Sequence, residues 1–426
     1  MQWVALSVAL HTQSYPTSLN EGVRSPQVSL CVRCVLVILV LVMAYDLSLA
    51  RCAWAEISYF PVPVVSTSRN DGTSTGLIAP TLFTDPEGEL KYIVAPLFIV
   101  NTIVGPTGAF NLFKYEPGGR ELRFIASYSE KIDRLLQFSY TDPAFSHGRY
   151  ALSYGSSFVK NATARFFGIG PETTAANETN YTARELLGYW KFGIYFNEVT
   201  QIAVGQRYRD VRVQRGATDL PFSAELFPNV DGIQGASILG HRITFHYDTR
   251  NSLVSATDGT QVTAYAELNQ NLRNGNHPVY FRYGLTFTKL LPSESKRAIF
   301  VIHGNLQTTF GTQVPFYEQS SLGGQNSLRG FGVDRFIDDH AVQLNVEHRI
   351  HLLRARMLNV AAELEVVPFV DIGKVFRTFQ NRLLHDYQVT PGIGFRAIVR
   401  PNVIGRVDFG YSHEGGAVFA GLDYPF

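Results

Sequence analysis

Segments of about ten residues in which apolar and polar side chains alternate recur from residue 56 to the C-terminus. Between residues 341 and 353, Val342 and Leu344 share one face of a predicted strand, while Glu347 and Arg349 share the other. The same parity recurs in two further segments, 281–289 and 406–412. Such segments, separated by turn residues, are typical of membrane β-barrels, so the chain is predicted to be all-β.

A water-soluble β-sandwich also alternates, so the pattern alone leaves two architectures open. Three observations favour the membrane: an N-terminal export signal, the absence of cysteine after residue 55, and aromatic pairs near segment ends such as Tyr189-Trp190. Charged residues make up only 17% of the chain, below the roughly 25% of soluble domains. We therefore predict a transmembrane antiparallel β-barrel with about sixteen to eighteen candidate strands.

One stretch, 92–110, is apolar enough to suggest a helical span. Pro96, Asn101 and Gly105 interrupt it, which favours a hairpin. A barrel must close on itself, because an open sheet edge in hydrocarbon leaves backbone groups without hydrogen bonds.

Residues 1–55 are predicted to be an N-terminal extension followed by a cleaved signal peptide. The unbroken apolar run, 35–42, is flanked by Arg33 and Asp46 and is shorter than the ~20 residues of a helical span. Small residues then lead to Ala55, so cleavage is expected before Glu56. Residues 56–426 are predicted to form the barrel, located in a bacterial outer membrane.

The sequence lacks the residue patterns that several classes of protein function require. The net charge of +1 gives no bias toward nucleic acid, and all three cysteines lie before residue 55, which excludes a disulfide or cysteine-metal framework downstream. No metal-ligand spacing or nucleophile motif is found, so we expect no catalytic residues, no metal, no cofactor and no enzymatic activity. An outer-membrane lipase whose catalytic residues come from separate strands stays open as a minor alternative.

The most informative stretch is a glycine-rich loop, 319–332, which is too apolar for an exposed loop tip. Its central motif is Leu328-Arg329-Gly330-Phe331. A second motif, Phe369-Val370-Asp371-Ile372-Gly373, follows in a later strand, where Phe369, Asp371 and Gly373 face the same side.

These two motifs resemble those of the BamA/TamA family of outer-membrane assembly and translocation barrels, also called the bacterial surface antigen family. The family's Val-Arg-Gly-Phe/Tyr loop motif matches residues 328–331 with Leu in place of Val, and its Phe-x-Asp-x-Gly motif matches residues 369–373 in full. The resemblance implies a sixteen-stranded barrel with a weak seam between its first and last strands. Residues 56–426 leave no room for the POTRA domains of other members, so a barrel-only member is expected.

The resemblance also implies an inward-folded loop whose Arg329 forms a salt bridge with Asp371. A guanidinium in a partly dehydrated lumen needs a carboxylate, and Glu347 has the parity of a second partner, although Arg349 on the same face could pair with Glu347 instead. The alternative is that Arg329 is a surface cation and Asp371 a solvated wall residue.

The C-terminus resembles the targeting signal of outer-membrane barrels. The residues that carry this resemblance are Gly421, Tyr424 and Phe426, while Phe419 and Pro425 depart from the usual pattern.

The leading functional hypothesis is a non-enzymatic barrel that assists insertion or translocation of protein or lipid at the outer membrane. The expected partners are outer-membrane lipid, the assembly machinery during biogenesis, a polypeptide or lipid cargo, and an optional second copy in a homo-oligomer. The alternatives are a passive pore plugged by the Arg329 loop and a structural surface antigen.

Overall fold

The computed structural model describes residues 56–59, 61–68, 70–87, 89–252, 255–273, 275–295, 297–357, 360–379, 385–399, 403–421 and 424–426. The predicted signal peptide, 1–55, lies outside the described residues. The strands of the described part, in chain order, are β1 (Glu56–Tyr59), β2 (Val62–Ser68), β3 (Gly72–Ile78), β4 (Thr81–Thr84), β5 (Leu90–Asn101), β6 (Gly105–Glu116), β7 (Arg120–Ser129), β8 (Arg134–Phe145), β9 (Tyr150–Phe166), β10 (Thr179–Asn197), β11 (Thr200–Arg215), β12 (Ala236–Asp248), β13 (Gly259–Asn271), β14 (Val279–Pro292), β15 (Ala298–Gly311), β16 (Ser320–Leu322), β17 (Phe336–Asp338), β18 (His340–Met357), β19 (Val360–Phe376), β20 (Gln388–Val399), β21 (Val403–Ser412) and β22 (Gly415–Gly421).

Twenty of these strands form one antiparallel sheet, and β16 and β17 form a small separate hairpin. The sheet is a meander in which each strand pairs with the next, as expected when short turns join antiparallel neighbours. One unbroken register links β1 and β2 to β4 and β3, so these four strands occupy two positions and the described sheet has eighteen. The predicted antiparallel barrel is confirmed, and the hairpin predicted for 92–110 corresponds to β5 and β6.

The resemblance implied sixteen strands, whereas the described sheet has eighteen positions. The eighteen positions lie within the sixteen to eighteen candidate strands counted from the alternation. The candidates beyond sixteen are therefore strands that pair in the sheet. Two of the eighteen positions consist of an interrupted strand, β1 with β2 and β3 with β4.

The two ends of the barrel differ in the length of their connections. One end carries the connection from β9 to β10, 167–178, and two longer connections, 216–235 and 312–339. We call it the loop end. The opposite end, the turn end, has shorter connections such as 117–119 and 198–199. In bacterial barrels the long loops are extracellular and the short turns periplasmic.

The faces of the sheet separate polar from apolar side chains as the alternation predicts. Leu285 and Phe409 are 45% and 44% exposed on the outer face, whereas Asn345 and Asp408 are fully buried on the inner face. A sandwich would bury the apolar face instead, so the polar interior identifies a barrel whose outer surface suits lipid. Within the described ranges, no helix is long and apolar enough to cross a membrane.

An apolar cluster covers the loop end. Phe166, Tyr181 and Ile233 pack with Phe316 and Tyr317, which form a short 3-10 turn, Phe316–Glu318. A single helical turn, Ser223–Leu226, lies beside them in the connection between β11 and β12. The loop end is therefore capped by its own long connections.

A charge on the outer face should destabilise the barrel more than the same charge on the inner face. We expect Leu285→Arg, near the middle of β14, to lower the free energy of unfolding in lipid bilayers by about 2–4 kcal/mol, because it places a guanidinium in hydrocarbon. The matched control is Thr286→Arg, one residue along the same strand on the lumen side. Equal losses in urea unfolding of the two variants would contradict the assignment of the faces.

Candidate functional site

The connection between β15 and β18, residues 312–339, folds into the barrel, and we call it the lumen loop. Its 3-10 turn and the β16–β17 hairpin fix its backbone. Leu328 and Phe331 are fully buried and pack with Leu322, Phe336 and the wall residue Val375. The apolar character noted in the sequence is thus explained by burial.

Arg329 is the centre of the loop's contact with the wall. Its Nε and Nη2 donate to Asp371 Oδ2 and Oδ1 at 2.9 and 2.7 Å, and its backbone N–H donates to the same carboxylate at 3.0 Å. Its Nη1 donates to Glu347 Oε1 at 2.6 Å. All three side chains are fully buried. The two parallel hydrogen bonds to Asp371 fix the orientation of the guanidinium and also stabilise its charge.

Neighbouring groups hold Asp371 and Arg329 in place. Asn345 donates to Asp371 Oδ1 at 2.8 Å and to the Ser327 carbonyl at 2.7 Å, which links the wall to the loop backbone. The Phe369 ring lies 3.5 Å from the guanidinium carbon and forms a cation–π contact. The strand motif therefore supplies both the carboxylate and the ring beneath Arg329.

Glycines allow the loop to lie against the wall. A Cβ on Gly410 would come within 2.1 Å of the Arg329 carbonyl oxygen, and one on Gly330 would come within 2.7 Å of Thr390 Cγ2. At Gly373 a Cβ would meet Leu322 Cδ1 at 3.0 Å. Any larger residue at Gly410 or Gly330 would push the loop away from β20 and β21.

The ionic cluster extends beyond the motif residues. Glu347 binds Arg329 through Oε1 and Arg349 Nε through Oε2, the latter at 3.0 Å, so it serves both cations rather than one. Asp408 lies 2.7 Å from Arg396 Nη2 and 3.7 Å from Arg329 Nη1. Asp408 and Arg396 were not singled out from the sequence, although the parity of 406–412 places Asp408 on the lumen side.

A second charge anchors the loop near its start. Glu318 accepts hydrogen bonds from Arg207, Arg209 and Arg282, at 2.5, 2.5 and 3.1 Å for the shortest contact of each. Burial by itself raises the pKa of the Glu318 carboxyl, but these guanidiniums outweigh burial and hold that pKa well below its usual range. Glu318 therefore stays ionised inside the barrel.

Sequence reasoning missed Glu318. The only local signal is that Arg207 and Arg209 lie on the same, lumen-facing side of β11. Two buried cations require an acidic partner, which must come from another part of the chain. Nothing in the linear sequence assigns that role to a glutamate 109 residues away from Arg209.

A third contact fixes the exit of the loop. Arg335 binds the Glu414 carboxylate at 2.6 Å and donates to the Thr173 carbonyl at 2.7 Å. Its guanidinium also lies 4.4 Å from the Phe167 ring centroid. These partners belong to other connections of the loop end, so the lumen loop holds the cap together.

The C-terminal residues lie apart from the loop motif along the chain but close to it in space. Gly421 is the last residue of β22 as described and lies opposite Arg406, whose Nε would be 2.7 Å from a Cβ at that position. Tyr424 and Phe426 lie in the lumen, where the Phe426 ring centroid is 5.3 Å from the Arg329 guanidinium. Their role in targeting stays a prediction.

The site consists of charged and hydrogen-bonding side chains. In the part of the chain that the structure describes, no group of three His, Cys, Asp or Glu side chains is placed to hold a metal ion.

Removing the Arg329 guanidinium should destabilise the barrel by about 3–5 kcal/mol, because Asp371 and Glu347 would be left buried without their shared partner. The measurement is the free energy of unfolding of Arg329→Ala in detergent or bilayers, read from heat-modifiable mobility on gels. Arg354→Ala is the control, since the Arg354 side chain is 83% exposed. A loss no larger than that of the control would show that the buried pair does not stabilise the loop.

The two anchors should be coupled, because both hold the same loop. We expect Glu318→Gln to destabilise the barrel, and the double variant Glu318→Gln/Arg329→Ala to lose less than the two single losses together, since a loop released at one anchor has less to lose at the other. Glu225→Gln is the control, as its carboxylate is 61% exposed. Strict additivity in a double-mutant cycle would contradict this coupling.

The chain is similar to known proteins in both sequence and fold. Residues 117–398 match the family model described as the Omp85 superfamily domain. Among solved structures, BamA from Haemophilus ducreyi lacking POTRA domains 1-3 matches with a TM-score of 0.54 and 15% identity, over 89% of this chain and 78% of that one. CdiB from Acinetobacter baumannii matches with a TM-score of 0.47 and 11% identity, over 87% of this chain and 60% of that one. No curated protein matches.

The matched region spans more than half of the chain and contains both motifs and Glu347. The BamA structure supports the fold, and the family model supports the relationship. The resemblance read from the motifs is confirmed: this chain is a BamA/TamA-like barrel and belongs to the Omp85 superfamily.

Proposed function

We propose that the chain resides in a bacterial outer membrane, reached through a cleaved N-terminal signal, and that it assists insertion or translocation of protein or lipid there without enzymatic chemistry. Membership of the Omp85 superfamily supports this proposal, because barrels of that family insert or translocate proteins at the outer membrane. The cargo is a polypeptide or a lipid, and the assembly machinery and a second copy of the chain are further partners.

The observation that carries the proposal is the seam. The first and last positions of the sheet, β2 and β22, lie side by side, and both line one cavity through Ser66, Thr67, Phe419 and Ala420. Every other neighbouring pair of positions shares a ladder among the described residues, so we infer that the junction between β2 and β22 is the weakest of the sheet.

A weak seam has a specific chemical consequence. Edge N–H and C=O groups without partners cost several kcal/mol each in hydrocarbon, and they are satisfied when another strand adds to the edge. An incoming strand can therefore bind the edge by β-augmentation, with main-chain hydrogen bonds as the driving interaction. This gives the barrel a way to handle an unfolded polypeptide without a catalytic group.

The passive pore is the alternative function. The lumen loop and the C-terminal residues both lie in the lumen. This arrangement favours a plugged lumen over an open channel. Deleting residues 322–332 should raise single-channel conductance in planar bilayers if the loop is the plug. A structural surface antigen would show neither conductance nor client insertion.

Locking the seam should abolish client handling without unfolding the barrel. We expect Thr67→Cys/Ala420→Cys, joined by a short thiol crosslinker, to reduce insertion of a model barrel protein into liposomes that contain the purified protein. The control is Tyr411→Cys/Gly416→Cys, which crosslinks two strands that already share a ladder. Undiminished insertion by the locked seam, at unchanged heat-modifiable mobility, would rule out the seam as the client site.

A further inference from the structure

Four cations lie side by side on adjacent strands near the loop end, and we call them the cationic row. Arg134 of β8 lies directly opposite Lys160 of β9. Lys160 lies opposite Arg184 of β10, which in turn lies opposite Arg212 of β11. Neighbouring strands are about 4.8 Å apart, so the row extends about 14 Å across the sheet.

Strand alternation directs these side chains to the outer face. On each strand the residues beside the cation are buried and point inward, so the cation points outward. Arg184 and Arg212 are exposed, whereas Arg134 and Lys160 are partly exposed. The inward neighbours are Leu135, Val159, Ala183, Glu185, Val211 and Val213.

The cationic row borders the apolar outer surface on the side of the loop end. On β8, β9 and β10 the next outward positions toward the turn end are Leu136, Phe158 and Leu186. Long side chains at such a border place their charges among lipid headgroups and their stems along hydrocarbon. Long loops of bacterial barrels are extracellular, so the row lies at the headgroup level of the outer leaflet.

The row carries more positive charge than its protein neighbours neutralise. Among the residues that the structure describes, no carboxylate lies within ion-pair distance of its first three cations. Arg212 Nε lies 3.3 Å from Asp210, a carboxylate that also binds Arg273 at 2.8 Å. Asp133 instead accepts a hydrogen bond from the Ala162 backbone N–H at 2.6 Å. Like charges directly opposite one another destabilise a sheet, so a bound anion would stabilise this one.

Arg134 is held in place by neighbouring groups. Its Nη1 donates to the carbonyl oxygens of Ser129 and Asp133 at 2.7 and 2.5 Å. Its guanidinium carbon lies 3.5 Å from the centroid of the Tyr128 ring, which is 62% exposed on the outer face. Stacking covers one face of the guanidinium and leaves N–H groups at its edge, a geometry that matches the oxygens of a phosphate.

Cations do not line the loop end uniformly. Near the loop end, the outer positions of three other strands, β14, β15 and β21, hold Phe281, Phe310 and Tyr411. A general role in anchoring the barrel at the membrane interface would not require four cations on consecutive strands. The row is therefore a local feature, which favours a binding site.

We propose that the cationic row binds the phosphate groups of a glycolipid of the outer leaflet. The inference rests on the outer-membrane location proposed above, because the outer leaflet of that membrane supplies a phosphorylated glycolipid at the loop end. The phosphates neutralise cations that otherwise repel one another across the strands. The acyl chains of the same lipid cover the apolar surface formed by Leu136, Phe158 and Leu186.

Native mass spectrometry of the folded full chain measures this binding. The probes are lipid A with two phosphates and the same lipid after removal of both phosphates, and we expect the first to bind more tightly, on the order of tenfold or more. Lys160→Gln/Arg184→Gln should weaken binding of the phosphorylated lipid about 25-fold, which is about fivefold for each cation. Lys289→Gln is the matched control, because Lys289 lies on the outer face of β14 near the turn end.

The binding assay has clear contrary outcomes. Equal binding of the phosphorylated and dephosphorylated lipids would overturn the proposal. So would unchanged binding by the double variant at unaltered heat-modifiable mobility, or an equal loss in the Lys289→Gln control. Equal affinity for phosphatidylglycerol, which carries a phosphate but no sugar, would overturn the assignment to a glycolipid.

The lipid dependence of stability provides a second test. In bilayers of zwitterionic phosphatidylcholine, Lys160→Gln should raise the midpoint of urea unfolding, because it removes a charge that lies opposite two others. In bilayers that contain the phosphorylated glycolipid, the same variant should lower the midpoint, because it removes a contact with phosphate. A shift of the same sign in both bilayers would show that Lys160 has only a structural role. Neither assay uses a client protein, so their outcomes are separate from that of the seam-locking experiment.

Discussion

The arrangement of the lumen depends on a guanidinium that is fully removed from water. Arg329 can be buried only where carboxylates are already fixed in position, because an unpaired charge in a low-dielectric interior is far costlier than an exposed one. Asp371 and Glu347 meet this requirement since they lie on adjacent strands with the same inward parity. The glycines of the loop and of β21 then allow the backbone to come close enough for direct contact.

The lumen loop is held by charges of opposite sign at two points, one near its start and one near its middle. Glu318 contacts arginines of β11 and β14, while Arg329 contacts carboxylates of β18 and β19. A loop with one anchor could rotate about it, whereas two anchors on different parts of the wall fix its direction across the barrel. The same loop caps one end through Arg335, and the C-terminal aromatic residues reach the other side of the Arg329 cluster. Loop, wall and terminus therefore form one connected polar interior beside the junction of β2 and β22.

Much of this could be predicted because strand alternation is a local property. The parity of 341–353 correctly separates Leu344, on the outer face, from Asn345 and Glu347 inside, and the motif residues of the loop and strand come together in space. The position of Glu318 could not be predicted, because its partners are more than thirty residues away in the chain and no periodicity links them. The strand number was also open, since broken strands and turns have similar compositions.

By itself the sequence determined that the chain is all-β, with strands whose inner face is polar and whose outer face is apolar. Its two short motifs indicated the family. Strand alternation and short motifs can be read from the sequence because they depend only on residue order. The tertiary structure decided which charges meet, how many positions the sheet contains and where the last three residues lie. These features depend on closure of the barrel, which brings distant strands together across a shared lumen. Tyr424 shows the difference: its parity along the strand points to lipid, but the pocket formed by Arg349 and Glu365 on other strands places it inside.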